Sequence, residues 1–172
     1  MQPKSATTLL TRLGILLFIY VIYSGCTKSI HKDDDFTPPF DINVTLHSVV
    51  EAKEIGSKAS GFVKFRQNAD TARIIDLDTW VTGLEPKHSY FLQRAVNPIT
   101  DPDCTSTAWL TLGLGLVTQA IHTDAKGDGH EDLFRNITAL ARGTQFRIHF
   151  QIVDSATLTP VLASDCDMYE VR

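Results

Sequence analysis

This sequence has almost nothing that announces an enzyme. It has no cysteine pair at the C-x-x-C spacing of a zinc or redox site. Its six histidines, His31, His47, His88, His122, His130 and His149, are each isolated along the chain. A metal centre needs several ligands held in one geometry, so neither a metal nor any other cofactor is expected. Gly113 and Gly115, in residues 110–117 (LTLGLGLV), belong to no G-x-G-x-x-G or G-K-S/T loop of the kind that cradles phosphate. A G-x-S-x-G elbow to present a nucleophile is missing as well. Asp76 and Asp78 fall on one side of a strand pattern, where carboxylates are usually solvated, so no catalytic residue is assigned. Positive charge is also scarce. The 172 residues carry 16 basic and 20 acidic groups, a formal −4, which has the wrong sign for nucleic acid or an anionic membrane surface. What remains is an ordinary globular composition, 43% hydrophobic and 21% charged, long enough for one domain with an adequate core.

Residues 1–25 read as an address rather than as part of that domain. Lys4 and Arg12 precede an uncharged apolar run at 13–23 (LGILLFIYVIY). About eleven such residues suit the hydrophobic region of a signal peptide and fall short of the ~20 that span a bilayer. Ser24, Gly25 and Cys26 follow, and this ending resembles the lipobox of bacterial lipoproteins, with Tyr23 where the motif usually has Leu. The resemblance implies cleavage before Cys26, a diacylglyceryl group on its sulfur, and the membrane as partner through that lipid. Residues 26–39 are polar, acidic and proline-ended, as expected of a flexible tether. Within them Lys32-Asp33-Asp34-Asp35 resembles the acidic export signal of surface-exposed lipoproteins in some Gram-negative bacteria. The implied location is the cell envelope, on the periplasmic or outer side of the outer membrane.

Three cysteines are an odd number for an exported chain. With Cys26 committed to lipid, Cys104 and Cys166 remain as one pair, and outside the cytosol an oxidised pair is the expected state. Both stand beside aspartates, which argues against a thiol activated for catalysis.

From residue 40 to 172 no stretch has helical periodicity. Short β-branched and aromatic runs bounded by Gly, Pro, Asn and Asp predict strands instead. Ile42, Val44 and Leu46 alternate with polar neighbours. In residues 73–81, Ile75, Leu77, Thr79 and Val81 take one side and Asp76, Asp78 and Trp80 the other. Further strands are expected at 61–67, 89–96, 108–112, 118–122, 133–137, 146–153, 161–163 and 168–171, and the glycines at 113 and 115 predict a bulge or a bend between sheets. The expected fold is all-β, a Greek-key-type antiparallel β-sandwich of about eight or nine strands.

Two segments carry a family resemblance. Ala59-Ser60-Gly61-Phe62-Val63-Lys64-Phe65 and Val81-Thr82-Gly83-Leu84-Glu85-Pro86-Lys87-His88-Ser89-Tyr90 resemble a strand and the following turn of the copper/zinc superoxide dismutase sandwich. Cys104-Thr105-Ser106-Thr107 is similar to the loop that carries that family's disulfide cysteine, and Cys166 lies near the C-terminus as its partner does. The resemblance implies the sandwich fold. It does not extend to the copper ligands, because Phe91-Leu92-Gln93-Arg94 stands where the family has its His-x-His pair.

The remaining candidates are weaker. Asp124, Asp128 and Asp132 have EF-hand-like spacing, but Lys126 and Arg135 occupy positions that must supply oxygen ligands, so a hairpin turn is expected there. Asp70-Thr71-Ala72 and Asp154-Ser155-Ala156 resemble a bacterial O-glycosylation tripeptide. Trp80 and Trp109 belong either in the core or on an aromatic platform for carbohydrate. The functional expectation is an outer-membrane-anchored lipoprotein with a non-catalytic binding or structural module, its glycan or protein partner unspecified. The alternatives are a metal-dependent protein of the superoxide dismutase class and a carbohydrate-binding surface lipoprotein.

Overall fold

Alternating burial along the strands organises the whole body. The computed structural model describes residues 41–49, 59–68 and 72–172. The expected signal peptide (1–25), the tether (26–39) and Cys26 lie outside the described residues. Among the described residues there are twelve strands and no helix. The long ones are β1 (Asp41–Ser48), β2 (Ser60–Gln67), β3 (Ile74–Thr82) and β4 (Ser89–Pro98). Four two-residue strands follow: β5 (Leu110–Thr111), β6 (Gly113–Leu114), β7 (Val117–Thr118) and β8 (Ile121–His122). Then come β9 (Gly129–Asn136), β10 (Gln145–Asp154), β11 (Pro160–Ser164) and β12 (Asp167–Glu170).

They form one sheet in the order β5-β4-β10-β11-β1-β2-β3-β9-β6-β7, with β12 on β10 and β8 on β4. Every pairing between strands is antiparallel except β6 on β9. The two ends of the order nearly meet, because consecutive residues serve both. Leu110 and Thr111 pair with β4, and three residues on, Leu114 pairs with Phe134 of β9. The all-β sandwich is thereby curled into a nearly closed barrel. Its strand count exceeds the expected eight or nine because 108–112 and 118–122 are not two ordinary strands. The chain bends sharply between them, and a Cβ on Gly113 would lie 2.0 Å from the Val117 carbonyl oxygen.

Inside the curl pack Leu46, Val63, Phe65, Leu77, Leu92, Phe150, Ile152, Leu162 and Tyr169, each no more than 2% exposed. Burial of such side chains contributes roughly 1.5–3 kcal/mol apiece. Thr79, fully buried among them, satisfies its hydroxyl on the Leu77 carbonyl at 3.0 Å. Gln67 is buried too, and its Oε1 accepts from the Tyr169 hydroxyl and from the Arg172 amide, so the last residue is tied to β2.

β4 and β10 are covered on both faces. Their outward-facing Gln93, Asn97 and Gln151 are buried, and Gln151 donates to Gln93, which donates to Thr111. Part of the cover is the segment between β4 and β5. Trp109 packs on His149 with ring centroids 4.6 Å apart, and Arg147 donates to the Ile99 carbonyl. Cys104 in that segment is bonded to Cys166, between β11 and β12, with Sγ–Sγ 2.04 Å.

Candidate functional site

The outer face of the β2–β3–β9 wall carries a strip of rings. Antiparallel register places Phe62 opposite Trp80 and Trp80 opposite His130. Directly opposed side chains on one sheet face stand close enough to touch, and here they stack. The Trp80 and His130 centroids are 3.8 Å apart at 20°, and Phe62 and Trp80 are 6.1 Å apart at 16°. Phe62 is 43% exposed and Trp80 44%. On a soluble surface, contiguous large aromatics at that exposure mark an interaction site more often than scattered apolar residues do.

Polar groups flank the strip on both sides along the strands. Two residues one way lie Ser60, Thr82 and Asp128, which with the three rings line an open groove of about 450 Å³. Thr82 donates to the Asp128 carboxylate across that groove. Two residues the other way lie Lys64, Asp78 and Asp132. His130 Nε2 reaches Asp78 at 2.6 Å and Asp132 at 3.5 Å, which fixes the imidazole against the indole. Asp78, His130 and Asp132 offer three ligand atoms within 4.8 Å of one another.

The expected site residues do not all come together. Trp80 lies on this strip, whereas Trp109 is half-buried against His149 on the outside of β10, so the two indoles form no common platform. Asp78 serves the strip, whereas Asp76 accepts from Asn68 at 3.2 Å. His47 sits exposed on β1. His88 contacts Asp154, and His122 is 2.9 Å from the Ser89 hydroxyl. His149 is held below its ordinary pKa chiefly by burial, which disfavours the imidazolium. With their histidines so dispersed, the described residues do not fit a copper centre built from several imidazoles.

Residues 123–129 form a hairpin turn. The Asp124 carboxylate accepts from the amides of Lys126 and Asp128 at 2.7 and 3.1 Å. These bonds, the one from Asp128 foremost, hold it below the usual carboxylate range. The turn locks onto residues 84–88 through Leu84 N to Gly127 O, Lys87 N to Asp124 O and Thr123 N to His88 O, all 3.0–3.1 Å. Of the two tripeptides, Asp70-Thr71 lies outside the described residues. Asp154 caps the β10–β11 turn, accepting from Ala156 and Thr157 at 2.8 Å.

No protein-family model, curated protein or solved structure matches the chain.

Phe62 and His130 were not expected at the site. They lie 68 positions apart, and only the strand register brings them to either side of Trp80. The available signal was the outward phase of Trp80 in the alternation of residues 73–81.

Proposed function

We propose that the chain is a cell-envelope lipoprotein, anchored through Cys26 in the outer membrane, whose barrel is a non-catalytic module that binds glycan in the groove beside Phe62, Trp80 and His130. The carrying observation is the exposed three-ring strip bordering a groove that also holds two hydroxyls and a carboxylate. Saccharides are recognised by this combination: apolar C–H faces rest on aromatic surface while hydroxyls bond to fixed oxygen groups. The strip is built on strands rather than on loops, so its geometry is set before the ligand arrives. The similarity of residues 23–26 to a lipobox and the acidic tether support the anchor.

Glycan-array binding and indole fluorescence of the purified full chain test the module. Trp80→Ala should abolish both signals, and Trp109→Phe should leave binding in place. A bound glycan indifferent to Trp80→Ala, or no glycan bound at all, refutes the site. Acyl mass on an N-terminal Cys26 tests the anchor, and mature material that begins elsewhere refutes it. The metal-dependent alternative would draw on Asp78, His130 and Asp132, and stoichiometric copper or zinc in the purified chain would favour it.

A further inference from the structure

The inner face of the same barrel breaks its own rule at one end. Inward-facing positions on β4 run Tyr90, Leu92, Arg94, Val96, and on β9 they run Leu133, Arg135, with Ile137 just beyond the strand. Leu92 and Leu133 belong to the core, so strand periodicity turns Arg94 and Arg135 towards the interior as well. There they share a cavity of about 200 Å³ at the barrel's mouth. Its other lining is wholly apolar and includes Leu112, Leu140, Phe146 and Phe150. Among the described residues the lining therefore holds two guanidiniums and no carboxylate.

Inward arginines in an apolar cavity are costly unless something pairs with them. Arg135 is partly satisfied: its Nη1 donates to the Gly115 carbonyl at 2.9 Å, which also fixes its aim. The Arg94 guanidinium has no hydrogen bond or ion pair among the described residues, although its backbone pairs with β10 and β5. It is held below an ordinary guanidinium's pKa by burial first and by the Arg135 charge second. Two like charges facing one apolar space are a standing demand for an anion.

We propose that this cavity is a binding site for a small organic carboxylate, its carboxyl held between Arg94 and Arg135 and its apolar body in the barrel mouth. Guanidinium recognises carboxylate through paired N–H donors in a plane, and Arg94 has its donors free for that. The volume sets the size of the body, since a cavity of roughly 150 Å³ already takes a benzene ring. A six- to eight-carbon acyl chain or a phenylalkyl group is of that order. The mouths of β-barrels are recurrent sites for such ligands. This site is on the opposite face of the sheet from the aromatic strip and stands or falls without it.

Calorimetry on the purified full chain decides the matter with three probes: octanoate, octanamide and acetate. Octanoate should bind, while octanamide, lacking the charge, and acetate, lacking the body, should each be at least about tenfold weaker. Arg94→Gln should lower octanoate affinity about tenfold and leave octanamide unchanged. Equal affinity for acid and amide, no binding of octanoate, or an Arg94→Gln chain that binds octanoate as before would each overturn the proposal. Should the variant fail to fold, the acid–amide comparison on the unaltered chain decides alone.

Discussion

Replacing both Cys104 and Cys166 with Ala should cost about 4 kcal/mol of stability, mainly through the unfolded chain. The bond closes a ring across 62 positions that contains the strands from β5 to β11. In the chain-entropy treatment a loop of that length lowers the unfolded state's entropy by about 14 cal/mol/K, or roughly 4 kcal/mol at 25 °C. In the folded state the bond fastens the segment bearing Cys104 and Trp109 over the outer face of β10, away from the interior packing of Phe65, Phe150 and Leu162. Native contacts should therefore survive its removal. Urea unfolding followed by far-ultraviolet circular dichroism measures the loss. With a slope near 2 kcal/mol/M the midpoint should fall by about 2 M, and the slope itself should rise because the opened chain exposes more surface. The oxidised and reduced natural chain should differ by the same amount. A midpoint shift below about 0.5 M, with the slope unchanged, would refute the reasoning, because the unfolded ensemble would then gain nothing from being opened.

Two further outcomes follow from the turns at the other end of the barrel. Gly127 has φ +84°, and a Cβ there would sit 2.1 Å from the Leu84 carbonyl oxygen, so Gly127→Ala should separate the paired turns and lower the melting temperature by several degrees. A thermal scan that leaves Gly127→Ala within a degree of the parent would contradict that contact. Asp154 is held down to about 2, first by the Thr157 amide and then by the His88 contact and the Ala156 amide, against the partial desolvation that opposes ionisation. Its folded pKa lies below the unfolded value of about 3.9, so its contribution is present above that value and is lost as pH falls towards 2. The parent should thus lose more stability between about pH 5 and 2 than Asp154→Asn does, and parallel acid-unfolding curves would count against the assignment.

Strands with one wet face were legible and those with two dry faces were not. On β3 the alternation of Ile75, Leu77, Thr79 and Val81 with Asp76, Asp78 and Trp80 predicted the buried side, which is observed, while the exposure of the indole, left open between core and surface, is settled by the fold at 44%. On β4 the same reasoning had no purchase. Gln93, Ala95 and Asn97 are buried under the disulfide-tied segment while Tyr90 and Leu92 are buried in the barrel, so polarity does not tell inside from outside, and Arg94 looks like any surface arginine. Residues 110–122 were legible only in part: the bend at Gly113 and Gly115 is observed, but the four short strands around it were not foreseen. Their pairings last two residues each and are dictated by where the barrel must close, which no local propensity encodes. The aromatic strip was hidden because three strands far apart in sequence had to be set in register before Phe62 and His130 could meet Trp80.

One wall of the barrel serves both proposed sites, and the period of two keeps them apart. On β9, His130 and Asp132 project outward while Leu133 and Arg135 project inward. On β3, Trp80 and Asp78 project outward while Ile75 and Leu77 line the cavity. A substitution on either face leaves the other face's side chains untouched so long as the register holds, because only a one-residue slip exchanges the two sets. Trp80→Ala should therefore leave octanoate affinity where it was, and Arg94→Gln should leave glycan binding where it was. Loss of both from either change would mean that the strands had shifted, since no shared side chain joins the strip to the cavity. The seam where coupling would first appear is residues 110–115. There a short crossing segment, pinned by Leu112 N to Leu92 O and Gly115 N to Phe134 O, ties β4 to β9 beside the cavity that Arg94 and Arg135 both line.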